Sequence, residues 1–545
     1  MTVRLVRIVA VVVALGAILG VLAPPAEGHA TLVRSSPAND QIVAESPREI
    51  ALEFDEAVEP GLASITVFDG EARRVGVGKP TAPAHGRLVV SVPEVLPRGT
   101  FTVVWRSVSV DGHAINGYFV FHVGVQGANP TGVIGEVDNG VPSPAVRVQD
   151  AVARFLGLSL TLIVVGGVAS LLLMLRGRNP AVERRLWRYV ASAAVVLALV
   201  AVWSVVIQAA KVAGSSTAAA LESDALGPVL GSQNGSARIL QVVAALVVAV
   251  AAAGVGRRMA VRAAVAGAIA GAALLTVVNG VAGHAGARGP LAVIVDAVHV
   301  AAASVWVGGL ATVVFAIVLV RRDRTSFAQD ALGAFSRVAV AAVAALILTG
   351  AISALVELGG LSHLWSTGYG RLILVKVALA AGLVALGTVS RRRVRHGETG
   401  PRPPGRLILT ELGIMVVVVA VTTQLVAEPP ARLATVTGET QHTVTTTLGG
   451  MRARITVTPV TAGPNTVTVA LTRDGRSVDV DEVRVAATNT DAGLGPIRAP
   501  AVRSQPGTYV AASMPLLAKG EWRVVVSARS GEFDQYDEAF SVTLR

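Results

Sequence analysis

Residues 290–320 read PLAVIVDAVHVAAASVWVGGLATVVFAIVLV, and this stretch decides the class of fold. Its only ionisable residues are Asp296 and His299, and about 20 mostly apolar residues are enough for a helix to cross a bilayer. Ionisable groups inside such a helix are costly and usually line a pathway or a partner-filled cavity. The stretch therefore predicts a transmembrane helix with a functional polar pair on one helical face.

Further stretches of the same kind surround it, and together they predict an eight-helix α transmembrane bundle over residues 150–427. The abundant Gly and Ala in these stretches permit close helix contacts. The predicted spans lie near 151–175, 187–212, 237–255, 259–281, 290–320, 338–357, 370–390 and 407–427.

Arginine clusters follow the odd-numbered spans, whereas the intervening loops carry few positive charges. The clusters are Arg176, Arg178, Arg184, Arg185 and Arg188, then Arg257, Arg258 and Arg262, then Arg321, Arg322 and Arg324, then Arg391, Arg392, Arg393, Arg395, Arg402 and Arg406. By the positive-inside rule these loops are cytoplasmic, so both ends of the bundle emerge outside the cytoplasm. The sequence predicts a multi-pass plasma-membrane protein, and its net charge of +11 reflects topology in the lipid bilayer rather than nucleic-acid binding.

Composition limits the chemistry that the chain can perform. Among its 545 residues, 52% are hydrophobic and none is cysteine. Disulfides, thiolate metal sites, iron–sulfur ligation and Cys nucleophiles are therefore excluded. A metal site must use His, carboxylate, Met or backbone ligands.

Two regions outside the bundle show the period-two alternation of β-strands. Residues 29–125 contain the run Ser64–Phe68 followed by Asp-Gly, a hairpin signal, and we expect an all-β, immunoglobulin-like sandwich there. A Pro-containing linker, 126–149, follows. Residues 428–545 alternate in the same way and predict a second all-β sandwich. The predicted fold class is thus multidomain.

The N-terminus has the features of a secretory signal peptide. A basic start, an apolar run from Ile8 to Ala23 and the small-residue site Ala26-Glu27-Gly28 predict that residues 1–28 are removed. The mature chain then begins at His29, whose amine and imidazole form a chelating pair suited to Cu(II). Asp111-Gly112-His113 offers a further carboxylate and imidazole, although on its own this tripeptide is more often a turn beside a surface histidine.

Residues 29–124 resemble the CopC family of periplasmic copper-binding proteins. The resemblance rests on His29-Ala30-Thr31-Leu32, Ser36-Pro37-Ala38, the Leu52-Glu53-Phe54 strand and the late Ser-Val-Asp-Gly-His element. It implies one Cu(II) held by His29, Asp111 and His113. Some members also bind Cu(I) in a Met-rich segment, but residues 29–149 contain no Met, so that second site is not expected.

Residues 150–427 are similar to the CopD family of membrane proteins. The likeness is carried by the segment from Asp296 through His299 to Trp306-Val307-Gly308-Gly309-Leu310, by Phe335-Ser336-Arg337, and by the Thr367–Lys376 segment. It implies copper movement across the membrane, and we expect a copper pathway at His284, Asp296 and His299.

Each of these membrane residues also has a purely structural interpretation. Asp296 is about as well explained by an ion pair with Arg371 or Lys376, and Gly308-Gly309 by helix packing. Glu411, near the cytoplasmic end of the last span, either helps to release a cation or pairs with a nearby arginine.

The resulting hypothesis is a non-enzymatic copper carrier and importer in copper homeostasis or resistance. The terminal domain, which resembles YtkA-type domains, lacks a convincing metal site and is interpreted as a docking domain for an extracytoplasmic protein. The first alternative is copper sequestration or sensing without transport. An oxidative enzyme is disfavoured because a coordinated Asp fills the position that oxygen needs, and haem because only His299 lies well inside a span.

Overall fold

The computed structural model contains a β domain, a helical domain and a second β domain, in that order along the chain. It describes residues 32–38, 41–54, 57–84, 86–109, 114–125, 143–281, 289–320, 324–395, 406–428, 431, 441–458, 460, 463–489, 494–505, 507–516, 519–531 and 534–544. The predicted multidomain architecture is confirmed, and the signal peptide with its cleavage site lies outside the described residues.

The N-terminal domain is a sandwich of two sheets. One sheet has the strand order β1-β3-β7-β6 and the other β2-β9-β8-β4-β5. Its strands are β1 Leu32–Ser36, β2 Gln41–Val43, β3 Glu49–Phe54, β4 Ser64–Phe68, β5 Arg74–Val75, β6 Thr81–Ala84, β7 Arg87–Ser91, β8 Gly99–Val108 and β9 Ala114–Val123. Between the sheets, the rings of Phe54 and Trp105 meet edge to face at 5.2 Å. These apolar residues fill the core because alternate residues of each strand face inward.

The Asp69-Gly70 signal does form a turn, between β4 and β5. Asp69 Oδ1 accepts hydrogen bonds from the Glu71 and Arg73 amides, both at 2.9 Å, and its Oδ2 accepts one from Arg73 Nε. Desolvation would raise the pKa of Asp69, but these hydrogen bonds together with the Arg73 charge outweigh it, so the pKa is lowered. The turn is thus closed by a carboxylate that stays ionised.

Eight helices of the central domain are long and apolar enough to span a membrane, as predicted. They are α1 Pro144–Leu173, α2 Pro180–Ala213, α3 Gln233–Gly256, α4 Val261–Val281, α5 Pro290–Leu319, α6 Arg324–Leu358, α7 Gly368–Arg395 and α8 Arg406–Leu425.

Local signals explain where these helices begin and end. Ser143 caps α1, which therefore starts within the segment predicted to be linker, and the Asn179 side chain accepts from the Ala181 and Val182 amides at 3.1 Å. Pro follows each of these two caps at the first helical position, where its missing N–H costs nothing. Gly214, with φ of 61°, ends α2 in the left-handed conformation that glycine tolerates.

A π-helical turn, Ser304–Gly308, interrupts α5 near its middle. Here α5 and α1 touch through their backbones: a Cβ built on Gly308 would lie 1.8 Å from the Leu162 carbonyl oxygen. One built on Gly166 would lie 2.1 Å from the Ser304 carbonyl oxygen. Because neither position can hold a side chain, Gly166 and Gly308 serve close helix packing, which is the structural interpretation that the sequence offered for Gly308.

The C-terminal domain is all-β, and its strands follow the path β10-β11-β12-β16-β15-β14-β17-β18, with β13 beside β12. They are β10 His442–Leu448, β11 Met451–Thr458, β12 Gly463–Arg473, β13 Arg476–Ser477, β14 Glu482–Asn489, β15 Leu494–Gln505, β16 Thr508–Leu516, β17 Gly520–Arg529 and β18 Gln535–Leu544. The long β15 pairs with both β14 and β16, and so joins the layers around one core that includes the fully buried Trp522.

Candidate metal-binding sites

Four of the six metal ligands that the sequence predicts lie outside the described residues. They are His29, Asp111, His113 and His284. The strands that flank the first three are described, and they constrain where those residues can be. For the membrane pair, Asp296 and His299, the side chains themselves are described.

The start of β1 and the end of β8 lie at the same end of the N-terminal sandwich. Leu32 pairs with Phe54 in one sheet, and the Phe54 ring packs on Trp105, close to the end of β8 in the other sheet. Strands β8 and β9 form a hairpin in which Val108 is opposite Ala114. The chain before Leu32 and the segment between Val108 and Ala114 therefore leave the described strands at one end, which we call the ligand end of the domain.

The ligand end rests on the membrane domain. Glu59, whose amide bonds to the Val108 carbonyl at 2.8 Å, accepts a hydrogen bond at Oε1 from the Gln233 amide, also at 2.8 Å. Gln233 is the first residue of α3, so the carboxylate meets the positive end of a helix dipole. Beside it, Leu62 and Val108 are buried in one apolar cluster with Val146 of α1 and residues of α2.

His299 is held by a hydrogen bond across to α6. Its Nδ1 lies 2.8 Å from Thr349 Oγ1, and the Thr349 hydroxyl donates its one proton to the Ala345 carbonyl at 2.6 Å. The hydroxyl must then accept from Nδ1–H, because it has no second proton to give. A neutral His299 therefore carries its lone pair on Nε2, the form in which imidazole binds a metal.

The His299 ring and the Asp296 side chain each lie beside a glycine of a neighbouring helix. A Cβ built on Gly350, the residue after Thr349, would lie 3.4 Å from His299 Cε1, an ordinary van der Waals distance, so the ring lies directly beside α6. Asp296 lies one turn earlier on α5, where a Cβ built on Gly280 of α4 would be 3.1 Å from its Oδ2. Asp296 therefore lies beside α4, and His299 lies beside α6.

Asp296 interacts electrostatically with Lys376 of α7, one of the two cations that the sequence offered as its partner. The other, Arg371, is exposed and donates from Nε to the Thr367 carbonyl at 3.3 Å. Lys376 also acts on His299, so three charged or ionisable groups share this region. The electrostatic interaction of Asp296 with Lys376 agrees with the ion-pair interpretation of this segment, and the close approach of Gly308 to α1 agrees with the packing interpretation.

Within the part of the chain that the structure describes, no three His, Asp or Glu side chains come together as a ready metal site. The sequence did not single out Thr349, which orients the ring. A lone Thr in an apolar helix carries no signal by itself, since such hydroxyls commonly bond their own helix, as Thr349 also does. Only the pairing of α5 with α6 gives it a second role.

Three protein families match this chain along most of its membrane and N-terminal regions. Residues 32–124 match the CopC domain, residues 148–293 the N-terminal domain of copper resistance protein D-like proteins, and residues 329–425 the copper resistance protein D family. A CopC domain followed by a membrane domain of the copper resistance protein D kind defines a two-part copper resistance protein. The chain belongs to this family, in which CopC and CopD domains are fused in one polypeptide.

The chain is similar to the following named proteins. Copper transport protein CutJ of Bacillus subtilis is 23% identical over 94% of this chain and 96% of its own length. Protein YobA of Escherichia coli is 36% identical over 18% of this chain and 82% of its own length. Among solved structures, CopC of Methylosinus trichosporium OB3b is 35% identical, and the match covers 19% of this chain and 99% of that one, with a TM-score of 0.17.

Proposed function

We propose that the protein captures Cu(II) outside the membrane and passes copper to the membrane domain for import. The first station is the Cu(II) site of His29, Asp111 and His113, completed by cleavage after Gly28. The second is the pathway at His284, Asp296 and His299. Copper is the cargo, and the chain is assigned no catalytic role.

The observation that carries the proposal is the contact between the ligand end and the bundle. The two segments that hold the expected Cu(II) ligands leave the β domain at the end where Glu59 and Leu62 meet the membrane domain. A store that released copper to solvent would have no need of this orientation. A transfer function needs this orientation, because a short path between the two sites limits escape of the copper ion to the solvent.

The state of His299 supports the second station. Its Nδ1–H is taken by Thr349, which leaves the lone pair of Nε2 as the one that can bind a metal. Asp296 supplies a carboxylate one turn away, and a copper ion arriving there competes with Lys376 for it. Copper then replaces Lys376 as the positive charge beside the Asp296 carboxylate, so the carboxylate is not left without a counter-charge in the membrane.

The positive-inside rule assigns the arginine clusters to the cytoplasmic side of the membrane. Both β domains attach to the bundle on the other side and are therefore extracytoplasmic. In this orientation α5 enters from outside, and His299 lies on its outer half. The C-terminal domain stands on the same side. Its exposed strands fit a docking role toward an extracytoplasmic protein.

The decisive experiment compares copper uptake by cells that make the wild-type chain or His299→Ala. We expect the variant to lose uptake while its N-terminal domain still binds Cu(II). His363→Ala is the matched control, because His363 lies at the outer end of the same domain and bonds through Nδ1 to the Leu358 carbonyl at 2.7 Å. Wild-type uptake by His299→Ala would overturn transport and favour sequestration.

A further inference from the structure

The membrane domain contains a cavity in the half that faces away from the N-terminal β domain. It has a volume of about 240 Å³, lies between α5, α6, α7 and α8, and is lined mostly by apolar side chains, among them Trp306, Phe335 and Leu383. A water molecule takes up about 30 Å³ in the liquid, and a methylene group is of similar size, so the cavity has room for about eight methylene groups.

Most of the polar groups in the lining lie at one end of the cavity. Thr388 and Ser390 are at the end of the α7 span, Gly368–Ser390, and Glu411 is near the start of the α8 span. The Ser390 hydroxyl donates to Glu411 Oε1. Trp306, in contrast, lies near the middle of the α5 span. The cavity therefore runs from a polar end near the membrane surface to an apolar end near the middle of the bilayer.

The cavity reaches the outer surface of the bundle along α6 and α7. Two of its lining residues, Val340 of α6 and Val384 of α7, are also exposed, by 53% and 37%. At the depth of a membrane span, the outer surface of a bundle faces hydrocarbon and not water. The cavity is thus open toward the acyl chains of the surrounding lipid.

The apolar lining determines which occupant is stable in the cavity. Apolar cavities stay dry and accept apolar ligands, because water finds too few hydrogen-bond partners in them. An empty cavity leaves the side chains around it without dispersion contacts on one side. An acyl chain supplies these contacts, and the more polar part of the same lipid belongs at the membrane surface, where Ser390 and Glu411 lie.

The charge of Glu411 does not enter this argument. Glu411 is buried, with 6% of its surface exposed. The sequence also allowed it to pair with a nearby arginine. Apart from the exposed Arg392, the side chains of the arginines at positions 391–406 lie outside the described residues. A hydrocarbon occupant fits the apolar part of the cavity whichever partner Glu411 has.

We propose that this cavity binds one acyl chain of a membrane phospholipid, with the end of the chain beside Trp306 and the head of the lipid at the polar end. The site goes beyond the proposed copper transport and does not depend on it. The lipid chain then contributes to the packing between α6 and α7, where the side chains of the protein leave space.

The test measures the fluorescence of Trp306 in liposomes. Full-length wild type and Trp306→Phe are each reconstituted into phosphatidylcholine whose acyl chains are either plain or brominated near their ends, because bromine quenches tryptophan at close contact. The difference between the two proteins isolates the emission of Trp306. We expect brominated chains to lower this emission by about half or more, since a chain in the cavity lies in van der Waals contact with the ring. Equal emission of Trp306 in the two lipids would overturn the site.

Variants that fill the cavity distinguish a chain inside it from lipid on the outer surface of the bundle. Gly387 of α7 lines the cavity, and a Cβ built on it would meet nothing within 4 Å, so Gly387→Leu should place its side chain in the cavity and reduce the quenching about twofold or more. Ala339→Leu, from the α6 wall, should act in the same direction.

Gly382→Leu is the matched control. Gly382 lies on the same helix and a Cβ there would also meet nothing within 4 Å, but it does not line the cavity, so quenching should stay at the wild-type level. If Gly387→Leu and Ala339→Leu both keep wild-type quenching, the lipid reaches Trp306 from outside the bundle and the proposed site is wrong.

Discussion

The membrane domain has two halves that are packed very differently, α1–α4 and α6–α8, with α5 shared between them. In the most apolar window of each helix, 50, 44, 44 and 33% of the residues are buried in α1–α4 and 56% in α5, but only 11, 6 and 28% in α6–α8. The first half is a tight core of Ala, Val and Leu. The second half holds Thr349, Lys376, Ser390 and Glu411.

The difference indicates that the two halves of the membrane domain have different roles. The packed half carries the N-terminal β domain, because Glu59 and Leu62 contact α1, α2 and α3. The polar groups lie where α5 faces the loosely packed half. Rearrangement costs less where fewer buried contacts must be broken, so we expect any movement to occur in the second half and not in the first.

The largest effect should come from filling the tightest contact of the packed half. Gly308→Ala places a Cβ where the Leu162 carbonyl stands, and should lower the free energy of unfolding by about 1–3 kcal/mol or more. Gly333→Ala in α6, with nothing within 4 Å, should instead be neutral or stabilising by up to about 1 kcal/mol. Thermal unfolding of the detergent-solubilised protein measures both. Equal losses in the two variants would contradict the comparison.

The next effect concerns two threonines, one in each environment. Thr349→Val removes the acceptor that fixes His299 and should reduce copper uptake about 10- to 100-fold, whereas Thr349→Ser should keep it. Thr312→Val removes a 2.8 Å bond to the Gly308 carbonyl in the packed region, and should cost about 1 kcal/mol of stability with little change in uptake. Normal uptake by Thr349→Val would show that the ring needs no such support.

A smaller, kinetic difference should be visible by chemical labelling. The chain has no cysteine, so a single introduced thiol reports on its own position. Leu383→Cys in α7 and Leu197→Cys in α2 both replace residues that are at most 2% exposed. We expect a small maleimide to label position 383 about tenfold faster or more, because local opening is easier in the second half. Equal rates would remove the basis for assigning movement to α6–α8.

The smallest effect should be at the domain contact. Glu59→Gln keeps the shape of the side chain but removes its charge from the N-terminus of α3, a change worth about 0.3–1 kcal/mol. The undocked fraction of the β domain, measured by electron-spin distance between two labels, should rise about two- to fivefold. Glu71→Gln, an exposed carboxylate elsewhere on the domain, is the control. A distance distribution unchanged by Glu59→Gln would show that apolar contacts alone hold the domain.

The sequence predicted the eight spans and both β domains because hydropathy and period-two alternation are local properties. It also singled out Asp296 and His299 as candidate ligands, which remains a prediction, since ionisable residues stand out in an apolar span. It left the choice between Arg371 and Lys376 open, and it did not find Thr349 or Ser390. Those roles depend on which helices are neighbours, and hydropathy carries no information on helix pairing.

The π-helical turn of α5 has a consequence for the angular phase of that helix. A regular helix advances about 100° per residue, and a π-helical turn accommodates one additional residue. Everything from Gly309 onward is therefore rotated by about one residue relative to the segment that bears Asp296 and His299. A one-residue deletion within Ser304–Gly308 would leave composition and hydropathy almost unchanged. It would nevertheless rotate the two ends of α5 relative to each other. If the first end kept its contacts with neighbouring helices, the second end would lose them.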